Sequence, residues 1–351
     1  MWRICCLSST SARTKKPGDL CGGDGAVRND KETFWAAVVA HQKTDYVPMY
    51  SLAVANIGGQ REWWENGPSG GGKDAFGVAW AGTESAGGAG VPLGNPIVLE
   101  DVTRWEERVS FPDLDAIPWR DLADAWLAGI DRERQYVNYS AYNAQFERVT
   151  HLMGFVEGLC AFTEEPEATA ALLRAITDYK IAALERISHY MHPDFYTPFD
   201  DLATQRSLFI SPAVYRALVL PEHRRVNDAC RALGIQPILH CCGRCEALIE
   251  DFIDAGFTAW ASAQPVNDIA RITRDYGGRI AVIGGYDTNG VPGTMEASDA
   301  AVADEVDRCL TQYGAGTGYV FSGMRMPGAR HSRDEAMAPI LKAYGAYAAR
   351  F

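Results

Sequence analysis

The stretch Q-P-I-L-H-C-C-G-R-C-E-A-L-I-E-D-F-I-D-A-G (236–256) decides the fold. It opens with a strand-length apolar run ending at His240, turns at Gly243, and continues as an amphipathic helix. That helix, E-A-L-I-E-D-F-I-D-A-G, carries the amphipathic pattern. The same order returns downstream. T-A-W-A-S-A (258–263) precedes D-I-A-R-I-T-R-D-Y, and R-I-A-V-I-G-G (279–285) precedes a Gly/Pro loop and a helix over 298–313. G-Y-V-F-S-G (318–323) precedes a last helix over 332–350. Upstream, Q-Y-V-N-Y-S-A reads as a strand, followed by helical stretches over 145–163 and 166–191, the second with Pro166 in its first turn. D-F-Y-T-P-F-D (194–200) is another strand, and Ser211-Pro212 caps the helix after it. Strictly alternating strands and helices predict a parallel sheet. With D-Y-V-P-M-Y-S-L (45–52) as the first of about eight strands, the fold class is α/β, a closed (β/α)8 TIM barrel.

Between the first strand and residue 135 the pattern breaks. A Gly- and Trp-rich stretch containing R-E-W-W-E-N-G-P-S-G-G-G and D-A-F-G-V-A-W has turn signals and no helical period, so an insertion over about 53–130 is expected. Residues 1–28 read as a disordered tail, and order is expected from Asn29 or Asp30, either of which could cap a helix through F-W-A-A-V-V-A-H. Residues 29–351 are then one barrel domain.

The 351 residues carry a net charge of −12, with 47% hydrophobic and 22% charged residues, the balance of a soluble enzyme. Nucleic acid and anionic membrane surfaces need clustered Lys and Arg, which this chain lacks. No run reaches the roughly 18 apolar residues of a membrane helix, and the start lacks the apolar core of an export signal. A cytoplasmic protein with its nine cysteines reduced is therefore expected.

Barrel chemistry collects at the carboxyl ends of the strands. His240, Cys241, Cys242 and Cys245 fall at one such end. Residues i and i+2 of an extended segment share a face, so His240 and Cys242 can both face the barrel mouth while Cys241 points away. An imidazole and a thiolate make half of a tetrahedral zinc site. Cys242-x-x-Cys245 could instead bind metal or act as a redox pair, and burial in the core without chemistry is the plain alternative. Three other strand ends carry polar groups: Asp200-Asp201, Gly284-Gly285-Tyr286-Asp287 and Ser322-Gly323-Met324.

The order H-C-C-G (240–243) then G-G-Y-D (284–287) resembles the uroporphyrinogen decarboxylase superfamily, with K-E-T-F-W-A-A-V, D-Y-V-P and D-D-L-A-T-Q (200–205) as supporting pieces. The true decarboxylases hold their substrate's carboxylates with arginines just after the first strand. Here that stretch is Y-S-L-A-V-A-N-I-G-G-Q-R, without arginine until Arg61. The resemblance therefore points to the zinc-dependent, corrinoid-linked methyltransferases. It implies zinc on His240 and Cys242, a corrinoid carried by a partner protein, and a small methyl donor or acceptor, best an aryl methyl ether undergoing O-demethylation. A methylcobalamin:thiol methyltransferase, a decarboxylase and a non-enzymatic corrinoid-partner binding protein stand as alternatives. Thiol-methylating members supply a third zinc ligand from a G-C-G stretch, where this chain has Met324. The third ligand is then expected from Cys245, His331, a carboxylate such as Glu157, or nowhere. Tyr286, Asp287, Asp200 and Asp201 are the candidate acids, and Trp63, Trp64 and Trp80 candidate walls for a flat substrate. A homodimer is left open.

Overall fold

Seven parallel strands form the barrel in the order β1 (Val54–Gly58), β5 (Tyr136–Ala141), β6 (Phe195–Pro198), β7 (Gln236–His240), β8 (Ala259–Ala263), β9 (Ala281–Gly285) and β10 (Tyr319–Ser322). The computed structural model describes residues 30–68, 70–82, 90–314, 316–328 and 330–351. The expected tail over 1–28 and the Asn29 cap lie outside the described residues. The sheet closes where Met49 bridges Phe321 in parallel and the Phe321 N–H donates to the Pro48 carbonyl at 2.9 Å. The expected first strand over 45–52 is thus cut to a bridge. A helical turn, Tyr50–Ala53, then carries the chain across to β1. Pro48 has no N–H to donate to a second neighbour, so the segment cannot pair along its length.

Alternation along the strands builds two apolar layers. Val54, Phe195, Ile238, Ala259, Ala281, Ile283 and Val320 face the lumen, capped by Phe34 of helix α1 (Asp30–Val38). Ile57, Tyr139, Tyr196, Leu239, Trp260, Val282 and Phe321 face outward under the helices. Each such large side chain stabilises the fold by about 1.5–3 kcal/mol on burial. The outer ring includes α2 (Gln145–Met153), α3 (Phe155–Glu164), α4 (Pro166–Met191) and α5 (Leu220–Ala232). The stretch expected as one helix over 145–163 is two, because Gly154 adopts φ 82° and Asn95 Oδ1 accepts the Phe155 N–H. Among the described residues no helix is long and apolar enough to cross a membrane.

The region between β1 and β5 carries a small antiparallel sheet of β2 (Gly72–Lys73), β3 (Ala79–Gly82) and β4 (Gly90–Pro92). Trp64 and Trp80 are packing residues. Trp64 lies against Trp119 and Trp126, and the Trp80 indole N–H donates to Asp74. Trp63 is exposed. A buried ion network joins this region to the barrel helices. Arg148 of α2 reaches Glu65 at 2.6 Å and Asp74 at 2.8 Å, and Lys180 of α4 reaches Glu65 at 2.9 Å.

Candidate metal centre at the barrel mouth

Ile238 faces the lumen, so His240 two residues on does too, and Cys242 follows on the same side where β7 ends. His240 Nε2 lies 3.5 Å from Cys242 Sγ and 4.0 Å from Asp201 Oδ1. One donor atom from each of these three residues lies within 4.8 Å of the other two, a group that could hold a metal ion. Zinc bonded at about 2.0 Å to nitrogen and about 2.3 Å to sulfur brings those two atoms to about 3.5 Å from each other. The observed spacing matches it. All three residues are half-buried at an open mouth, as a site with a free coordination position requires.

Several contacts hold the donors in place. The Cys242 N–H donates to Asp201 Oδ1 at 2.7 Å, fixing the carboxylate beside the thiol. The Phe199 ring stacks on the His240 imidazole, with centroids 3.7 Å apart. Asn267 braces the loop from both sides. Its Nδ2 donates to the Gly243 carbonyl, and its Oδ1 accepts the N–H groups of Cys245 and Glu246. A register shift in β8 between Ala261 and Ala263 leaves Ser262 at φ 64°, which brings its Oγ to 3.4 Å from Cys242 Sγ. A serine in the left-handed region is the kind of local strain that collects at functional sites.

Burial sets the protonation of the site. It lowers the His240 pKa, opposed by Asp201, so the imidazole is neutral and has a lone pair to offer. It raises the Cys242 thiol, with Asp201 adding to the effect. A metal ion must displace that proton on binding.

The sequence-derived candidates divide cleanly. Asp201, expected as an acid, is the third member of the candidate cluster. Cys245 does not join the cluster. It is fully buried with its Sγ 3.3 Å from Cys241 Sγ, because the chain turns outward at Gly243 and points it into the core. His331 is exposed at the start of the last helix, and Glu157 is exposed on α3 facing Asn95, so neither comes to the cluster. Asp200 is buried. It accepts the N–H groups of Phe146 and Glu147 at the start of α2 and pairs with His223 at 2.8 Å. Tyr286 donates its hydroxyl to the Pro292 carbonyl, and Asp287 accepts the Gly290 N–H within its own turn. Glu147 was not legible in the sequence. Its carboxyl accepts the Asp201 N–H, and burial, then Asp201 and Asp200, push its pKa well up. Only the packing of α2 against the loop after β6 reveals it.

A family model for uroporphyrinogen decarboxylase (URO-D) matches residues 141–326, just over half of the chain and every strand from β6 to β10. The chain belongs to the uroporphyrinogen decarboxylase family. The model's span takes in all three members of the metal cluster and Glu147, so the candidate centre lies within the part shared with the uroporphyrinogen decarboxylase family. Among solved structures, a methyltransferase from Methanosarcina mazei superposes with a TM-score of 0.62 at 12% identity, covering 91% of this chain and 99% of that one. At that identity the likeness is one of fold. No curated protein sequence matches the chain.

Proposed function

We propose that this member of the uroporphyrinogen decarboxylase family is a zinc-dependent methyltransferase, moving a methyl group between a small substrate and the cobalt of a corrinoid protein. The best substrate class is an aryl methyl ether, demethylated at oxygen. One observation carries the reading: an imidazole, a thiol and a carboxylate converge at the open mouth of the barrel. His240, Cys242 and Asp201 would hold the zinc ion, which as a Lewis acid would polarise an ether oxygen or activate a thiol.

The chain's own residues do the rest. Asp201, fixed by the Cys242 amide, sets the orientation of the donors. Phe199, stacked on His240 and 4.2 Å from the Tyr142 ring, offers a flat apolar wall for an aryl group. Glu147 stands beside Asp201 as an acid within the same space. The corrinoid partner must reach this mouth for cobalt and substrate to meet. Porphyrinogen decarboxylation has less support, since a polycarboxylate needs several free cations around it. The Arg61 guanidinium is taken up by the Asn56 and Gly58 carbonyls, and that of Arg325 by Thr294 and Met295.

Elemental analysis of freshly purified protein tests the reading. About one zinc per chain is expected, lost in Cys242→Ala, together with methyl transfer from an aryl methyl ether to Co(I) corrinoid by the wild type alone. Wild-type protein without zinc sinks the proposal.

A further inference from the structure

The lumen wall facing the metal cluster is polar, and its hydrogen bonds run in one direction. Asn56 of β1 lies three strands round the sheet from β7. It is two residues beyond lumen-facing Val54, so it points into the same space as His240. Its Oδ1 accepts twice, from the Tyr50 hydroxyl at 2.7 Å and from Asn138 Nδ2 at 2.8 Å. Asn138 is itself fixed: it is buried, its Oδ1 accepts the Thr197 hydroxyl at 2.8 Å, and its Nδ2 also lies 3.3 Å from Ser140 Oγ. Four side chains therefore set which way the Asn56 amide faces. Its Nδ2 has no partner among the described residues, and the residue is exposed. A donor held in place by a buried network and left open is what a site needs to read an acceptor. Arg333 adds positive charge, close enough to act on the Tyr50 hydroxyl and unpaired with any carboxylate among the described residues.

We propose that Asn56 is a substrate-positioning and specificity-determining residue: its Nδ2 binds an acceptor oxygen, a carboxylate or carbonyl, at the end of a small aromatic ligand remote from the His240–Cys242–Asp201 cluster. The ring lies along the Tyr142–Phe199–His240 wall, and Arg333 biases the subsite toward an anionic oxygen. This deepens the methyltransferase reading and rests on it only for the identity of the reacting end.

Titration calorimetry with 4-methoxybenzoate, anisole and 4-methoxybenzylamine tests it, alongside zinc content of each sample. Wild type should bind the acid at least tenfold more tightly than anisole. Asn56→Asp keeps the acceptor that Tyr50 and Asn138 use but removes the free donor. It should lose at least tenfold for the acid, shift preference toward the amine, and keep its zinc and melting temperature. Asn56→Leu should level the acid and anisole. Wild type that does not prefer the acid, or Asn56→Asp that binds it as wild type does, overturns the proposal. The two readings fail separately. Zinc-free protein that still prefers the acid keeps the subsite and removes the metal centre, whereas zinc-loaded protein indifferent to the acid removes the subsite alone.

Discussion

Gly243 sits at φ 83°, where a Cβ would lie 2.5 Å from the Ala203 carbonyl oxygen. Both the backbone conformation and the space demand glycine there, one residue after Cys242. Gly243→Ala is expected to cost about 1–3 kcal/mol and to weaken zinc binding as the loop shifts, read from thermal melts and competition with a chromogenic chelator. Unchanged affinity would show that the loop position does not set the donor geometry. The cysteines separate in the same assay. Cys242→Ser should lose zinc, while Cys245→Ser should keep it and lose only stability, since its thiol lies in the core beside Cys241. If Cys245→Ser abolishes zinc, Asp201 is not the third donor.

At the scale of elements, the region between β1 and β5 is fastened by charge buried under it. Arg148 has no solvent exposure, and its guanidinium sits 4.1 Å over the Phe76 ring between Glu65 and Asp74. Removing one partner of a buried ion pair leaves the other charges without compensation. Arg148→Met should therefore destabilise the protein by about 3–5 kcal/mol in urea denaturation. A change near zero would mean that Trp64, Trp119 and Trp126 hold the region without the ion network.

For the whole molecule, two buried groups bend the stability curve in opposite directions. Burial and the neighbouring Glu65 push Glu62 up to about 8, so the folded protein keeps a proton that the unfolded chain releases near 4.5. That contribution is full below 4.5 and is lost as pH rises through 8. Burial, helped by Arg148, lowers His151 to about 3 from its ordinary 6.5. Its contribution is present above 6.5 and is lost as pH falls toward 3. Each slope is at most about 1.4 kcal/mol per pH unit, so these two oppose each other between 4.5 and 6.5, while above 6.5 the raised carboxyls Glu62 and Glu147 both act to lower stability. The melting temperature should fall from pH 6.5 to 8. Glu62→Gln should flatten the alkaline fall, and a variant that falls as steeply as wild type would assign it elsewhere.

The local code of the chain was enough for six of the seven strands, whereas β1 (Val54–Gly58) falls in the stretch expected as insertion. Apolar runs, Pro166 and Ser211 mark strands and helices because periodicity and caps act within a few residues. The i and i+2 rule likewise aimed His240 and Cys242 at the lumen. Its limits show at Pro48, where closure depended on a neighbour 273 positions along the chain, and at Gly154, where a positive φ was accepted for an Asn95 contact. The third member of the candidate cluster needed tertiary structure. Cys245 is nearest in sequence, but the turn at Gly243 buries it. Asp201, from the loop after the neighbouring strand, is brought in by the Cys242 N–H. Glu147, the tryptophan packing and the Asn56 network depend in the same way on which strands and helices lie side by side. Chain order sets the elements because their forces are local, and contact between distant elements sets the site.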